Sequence, residues 1–238
     1  MKKSIHIPAW LVYVIPVVLW IYTYLDHMNA LSNGVQVNRE YGLIENVTNI
    51  MLFVAIIFFL LCLKKAQSLW EKMWLLILAV GTFYFLGEEM SWGYHFFHYD
   101  VGEKWIGMNE QKEPNLHNLG EIWGIIFKEL PRQLLSIGVV IGGLLGVFAD
   151  RKESWPKNRS LRQLIPSGDT LFIAIIANVV SAPEKIVTHI LTKTKTPNWL
   201  LLGNDAGELK ECLLALFIML YAYKILRNYS YTFLKEKD

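Results

Sequence analysis

Charge is scarce in this chain. Of its 238 residues only 18% are Asp, Glu, Lys or Arg, whereas soluble domains carry about a quarter. With a net charge of only +2, the composition excludes a disordered chain and a nucleic-acid binder that works through bulk charge. Cysteine is rarer still. The two residues, Cys62 and Cys212, exclude a disulfide scaffold and fall at opposite ends of their spans, so they support no bridge. HExxH, GxSxG and a glycine-rich phosphate loop are all absent, as are internal repeats and low-complexity tracts. Apolar side chains, by contrast, are abundant: 53% of residues are hydrophobic, with nine Trp, eleven Tyr and twelve Phe. Such a chain is solvated mainly by lipid, and its length allows one compact unit.

A membrane-crossing helix needs roughly 20 mostly apolar residues. Six stretches qualify, at about 7–25, 43–63, 72–93, 132–149, 168–189 and 205–225. Open strands cannot satisfy their backbone in lipid. The expected fold is therefore all-α and integral to the membrane: a single transmembrane domain over 1–238, built as a bundle of about six transmembrane helices. Lys2 and Lys3 before the first stretch imitate a signal peptide. The apolar run is long for one, however, and no small-residue cleavage site follows, so it reads as a retained anchor, kinked at Pro16. Glycines in the fourth span (LLSIGVVIGGLLGVFA) allow close approach of another helix. Ahead of it, Ile122, Trp123, Ile125, Ile126 and Leu130 before Pro131 predict an amphipathic helix lying in the interface.

With a cytoplasmic amino terminus, the inner side holds 14 of the 23 basic residues and 6 of the 21 acids. Basic residues in short loops mark the cytoplasmic face, so both termini are expected there and the 100–120 loop outside.

Four spans reach full length only by taking in polar residues at their outer ends. These are Glu45, Asn46, Thr48 and Asn49 in the second, Glu88 and Glu89 in the third, Glu184 and Lys185 in the fifth, and Asp205, Glu208, Lys210 and Glu211 in the sixth. Ionisable groups at membrane depth face a cavity or one another. A shared outward-facing pocket is expected, with Glu45, Glu88, Glu184 and Glu208 converging. The bland alternative leaves these acids among headgroups at helix ends. The helix dipole then accounts for Glu45 and Glu208 at helix starts but not for Glu88 and Glu184 near helix ends.

The densest segment is LGEEMSWGYHFFHYD, from Leu86 to Asp100. Continued as a helix, it puts Glu88, Ser91, His95 and His98 on one stripe, with Glu89 pointing elsewhere. A carboxylate, a hydroxyl and two imidazoles suit a metal or a proton-transfer chain. Trp92, Tyr94, Phe96, Phe97 and Tyr99 equally suit an interfacial aromatic belt. In the outer loop, Asn109, Gln111, Glu113, Asn115, His117 and Asn118 are polar types fitted to recognise hydroxyls or a headgroup, and the loop is long enough to act as a lid.

GEEMSWG (Gly87–Gly93) and NEQKEPNLHN (Asn109–Asn118) resemble a family of uncharacterised bacterial multi-pass membrane proteins with a GEExSWGQR segment and an NxQxExxLHN loop. Tyr94 and His95 replace the family's Gln-Arg. The resemblance favours Glu88, Glu89, Ser91, Trp92, Asn109, Gln111, Glu113, His117 and Asn118 as site residues and implies a bacterial cytoplasmic (inner) membrane location. It supplies no activity. A fainter likeness, in Glu45 to Asn49 and in Ser91 with His95, is to alkaline ceramidase-type membrane hydrolases, but the late His-x-x-x-His pair of that zinc site is missing.

Two functional readings follow. In one, the pocket binds a lipid headgroup, saccharide or small solute through Glu45, Asn49, Trp92, Asn109, Gln111, Glu113, Asn118, Glu184, Asp205, Glu208 and Glu211. In the other, the chain is an outward-facing lipid hydrolase or transferase using Glu88, Glu89, Ser91 and His117, with a divalent metal as candidate cofactor. The bilayer is the expected partner in both, nucleic acid in neither.

Overall fold

A computed structural model describes residues 7–33, 42–109, 114–116, 119, 121–152, 155–180, 182, 202 and 204–235. Among these the regular structure is helical, with no strand beyond a single bridge between Asn109 and Leu119. The principal helices are α1 (Ala9–Asn33), α2 (Leu43–Leu63), α3 (Leu69–Glu89), α4 (Leu130–Arg151), α5 (Leu171–Val179) and α6 (Asn204–Lys235). Four helical stretches are long and apolar enough to cross a membrane: α1, α2, α3 and the continuous run Ile122–Arg151.

Helix α6 is the axis of the bundle. Leu209, Cys212, Leu213, Leu214, Ala215 and Ala222 are almost wholly buried on it, and these residues point to every side of a helix. A helix apolar all round must be enclosed, and α1, α2, α4 and α5 pack against it while α3 packs on α2. The outer helices turn large apolar side chains away from the core, among them Trp10, Val14, Val18 and Leu25 of α1, Leu76, Ile77, Val80 and Phe83 of α3, and Leu134, Ile137, Ile141 and Leu144 of α4. Apolar surface on this scale is not tolerated in water by a monomeric protein, and lipid is its natural solvent.

The end of the bundle where α3 begins is built from specific polar contacts. Ser68 and Glu71 form a capping box, Glu71 N–H donating to Ser68 Oγ at 3.2 Å and Ser68 N–H to Glu71 Oε2 at 3.3 Å. At the same end three side chains of α6 hold the chain that leads into α5. Lys224 Nζ donates to the carbonyls of Ile165 (2.6 Å) and Pro166 (3.0 Å), Tyr221 Oη to that of Leu164, and Asn228 Nδ2 to that of Gln163 (3.1 Å). Four successive carbonyls left over where Arg159–Leu164 stops being helical are thereby satisfied.

The glycines of α4 serve this segment. A Cβ at Gly146 would lie 2.7 Å from Pro166 O, and one at Gly143 would lie 2.8 Å from Leu171 Cα. The close approach expected from sequence is therefore to the turn entering α5 and to the first residue of α5.

Pro131 does not end the preceding helix. Residues Glu121–Gly124 run through a π-helical turn, Ile125–Glu129, directly into α4. The interfacial helix expected ahead of the fourth span is thus continuous with it. The reason is local: Pro131 has no N–H for the Phe127 carbonyl four residues back, and the Tyr84 hydroxyl donates to that carbonyl at 3.2 Å instead.

Candidate functional site

The polar residues singled out in the sequence lie at the other end, where α3 finishes and α2, α4 and α6 begin. Glu88 and Glu89 are successive, so their side chains leave α3 about 100° apart. Glu88 is buried and accepts a 2.7 Å hydrogen bond from Trp92 Nε1. Trp92 can fold back because the chain turns left-handed straight after α3: φ is +44° at Ser91, +52° at Trp92 and +80° at Gly93. Its ring covers Gly87, where a Cβ would lie 2.7 Å from it, and meets Phe83 and Tyr84 edge-on at 6.0 and 6.2 Å.

The Gly87–Gly93 motif is therefore accounted for locally, by room at Gly87, an acceptor at Glu88 and a permissive backbone at Gly93. The left-handed turn overturns the stripe of Glu88, Ser91, His95 and His98, which required the helix to continue. His98 itself has φ +46°, and the His95 side chain lies outside the described residues. Non-glycine residues held left-handed cost roughly 1–3 kcal/mol each and cluster at functional sites.

Asn109 and Asn115 dock on this turn. Asn115 Nδ2 donates to Ser91 Oγ at 3.2 Å, and Asn109 Nδ2 donates to Asn115 O at 2.7 Å and Oδ1 at 3.2 Å. Ser91, Asn109 and Asn115 are all buried. Gln111, Glu113, His117, Asn118 and Glu184 lie outside the described residues.

Glu89 faces the axis. Its carboxylate meets Glu208 and Glu211 of α6, with one oxygen from each lying within 4.8 Å of the others. Arg132, three residues into α4, pairs with Glu211. The main electrostatic influences on Glu89 are Glu211, Glu208, Glu45 and, with opposite sign, Arg132. Asp205 joins that set at Glu208 and is bonded to His27 of α1, Oδ2 to Nδ1, at 2.6 Å.

Five helix ends thus contribute charged or imidazole groups to one place. Glu89, Glu208 and Glu211 are the carboxylates that meet; Glu45 acts on Glu89 and Glu208 electrostatically, and Glu88 turns to Trp92 instead. One apolar helical run flanks the site. Exposed Ile122, Trp123 and Ile125 extend the Ile122–Arg151 run outward beyond Arg132 by about 15 Å at 1.5 Å per residue.

Among the described residues, Asn49 Oδ1 and Ser136 Oγ are shielded from solvent and have no hydrogen-bond partner. Asn49 follows Glu45 by one turn of α2, and the hydroxyl of its neighbour Thr48 donates to Ile44 O at 2.9 Å. Ser136 lies one turn below Arg132 on the same face of α4.

Arg132, His27 and Ser136 were not singled out from the sequence. Arg132 had a legible signal, as a cation at the outer start of an otherwise apolar span. His27 had none, because its role depends on which helix α1 packs against. No family model, no curated protein and no solved structure matches this chain.

Proposed function

We propose that this chain is a six-span bacterial inner-membrane protein with cytoplasmic termini, and that the polar site at its outer end binds the headgroup of a lipid, a saccharide or another small polar solute. One observation carries this reading: Glu89, Glu208 and Glu211 meet within 4.8 Å beside Arg132 at the ends of apolar helices. Ionisable groups are kept at such depth for function rather than for stability. A hydroxylated or amino-bearing headgroup suits the surplus of carboxylate acceptors, and Arg132 offers donors to a phosphate. The basic residues of the 64–72, 151–162 and 224–237 segments support the orientation, since they collect at the end remote from the carboxylates.

The test is native mass spectrometry of the full chain released from nanodiscs of bacterial lipid. The expected result is one retained headgroup-bearing molecule, lost in Arg132→Gln and Glu208→Gln proteins that remain folded. Equal retention by those variants would overturn the reading.

A second reading has its own support. His27 is oriented by Asp205, which in turn neighbours Glu208, and an imidazole held by a carboxylate is what general-base catalysis uses. On this reading the site hydrolyses or transfers the bound lipid. Release of a lipid fragment by the wild-type chain, abolished in His27→Gln, would establish it.

A further inference from the structure

We propose that the groove between α2 and α6, at the end of the bundle remote from the carboxylates, binds one anionic phospholipid whose phosphate is held by Lys65 and Arg227. This site is separate from the outer polar site. From the reading above it takes only that the helices are solvated by lipid.

The two cations share one edge of the groove. Helices α2 and α6 pack side by side, and Phe58 of α2 meets Tyr223 of α6 at 6.1 Å between ring centroids. That contact fixes which edge of α6 borders α2. Arg227 follows Tyr223 by one turn; its guanidinium lies 5.7 Å from the Tyr223 ring centre, and Nη1 donates to the Tyr223 hydroxyl at 3.0 Å. Lys65, in the turn that closes α2, reaches the same edge, where Nζ donates to Ser230 Oγ at 2.9 Å. Ser230 is three residues past Arg227, and residues so spaced are neighbours on a helix surface, about 5–6 Å apart at Cβ. Both cationic side chains are exposed.

Charge at this edge is left open. Among the described residues neither Lys65 nor Arg227 faces a carboxylate, and the described acids of this end are committed elsewhere. Glu71 accepts from the Gln67 and Ser68 N–H groups, Asp150 from that of Gly168, and Asp169 from the Tyr13 hydroxyl. Lys65 and Arg227 are held instead by neutral hydroxyls, which orient them without cancelling their charge.

The wall of the groove selects the ligand class. Ile57 and Leu61, both exposed, lie four residues apart on one stripe of α2, and Lys65 follows after four more. Exposed apolar side chains that lead to uncancelled cations complement an acyl chain that leads to a phosphate. Arg matches phosphate oxygens with its fork of donors and Lys adds a point charge. Two cations without an acid favour a lipid of net negative charge over a zwitterionic one, whose ammonium they repel.

The experiment is a titration of the full chain in neutral detergent with phosphatidylglycerol, the retained lipid being counted by native mass spectrometry. One molecule should be held at least about fivefold more tightly than phosphatidylcholine. Lys65→Gln and Arg227→Gln should each weaken it about fivefold, the worth of one cation at an anionic lipid surface. Arg227→Lys should weaken it less than Arg227→Gln, because the charge remains. Lys152→Gln, which removes an exposed ammonium held over Phe148 of α4, should leave it unchanged. All three positions are exposed, so without lipid the variants should melt close to the wild type.

Equal affinity for the two lipids overturns the proposal, as does unchanged affinity in Lys65→Gln and Arg227→Gln. An equal loss in Lys152→Gln overturns it in favour of general surface charge, and displacement by equimolar glycerol phosphate in favour of a soluble phosphate. A loss in Arg132→Gln equal to that in Arg227→Gln assigns the lipid to the outer site, so that this proposal fails and the headgroup reading stands. If loss is confined to the Lys65 and Arg227 variants and Arg132→Gln loses no ligand, this proposal stands and the headgroup reading fails.

Discussion

Glu88 and Glu89 show how much one residue of register decides. They have the same side chain and adjacent positions, yet one is spent on an indole and the other on a three-carboxylate cluster. The Trp92–Glu88 bond is accessible to a double-mutant cycle. Trp92→Phe and Glu88→Leu should each lower stability, and the cycle should return a coupling of about 1.5–3 kcal/mol in denaturation measurements, as for hydrogen bonds to charged groups. Gly87→Ala should lower stability by about 1–3 kcal/mol, because its methyl meets the Trp92 ring at 2.7 Å. Gly81, with nothing within 4 Å of an added Cβ, provides the contrast: Gly81→Ala in mid-helix should gain up to about 1 kcal/mol. If both glycines respond alike, the folded-back Trp92 is wrong.

At the level of elements, α4 and α6 carry most of the organisation. The small-residue face of α4 admits the turn before α5, and α6 fastens that turn through Tyr221, Lys224 and Asn228. Gly146→Ala places a methyl 2.7 Å from a backbone carbonyl, which cannot swing aside as a side chain can, and should destabilise by roughly 1–3 kcal/mol. Lys224→Met removes the donor to Ile165 O and Pro166 O. Each carbonyl left buried and unsatisfied costs about 1–3 kcal/mol, so the variant should melt well below the wild type while retaining its helical circular dichroism. The glycine pattern was legible in the sequence because small residues at helical spacing have few other uses. That they receive a turn as well as a helix was not, since the Ile165–Ser167 segment contains no signal for where it docks. Continuity through Pro131 was equally hidden, because it depends on a hydroxyl from Tyr84, 43 residues away by the Tyr84–Phe127 bond.

For the whole molecule, topology is the statement most open to direct test. Cys62 and Cys212 are both buried, so a cysteine introduced at position 110 will be the reactive thiol. An impermeant maleimide should label it in intact cells from outside only; labelling from the cytoplasmic side alone would move the carboxylate site to the inner face. Hydrophobic runs, basic-residue bias and the polar ends of four spans were all sufficient in the sequence to imply a helical membrane protein with acids at one end. Lipid imposes those patterns on every span separately, and each can be read without knowing its neighbours. Which acids meet is a different kind of fact. Glu89 rather than Glu88 faces α6, Arg132 answers Glu211, and His27 reaches Asp205 across 178 residues, because α6 became the enclosed axis and set the rotation of every helix packed on it. Rotation about a helix axis leaves span length and composition unchanged, so only the tertiary packing could decide it.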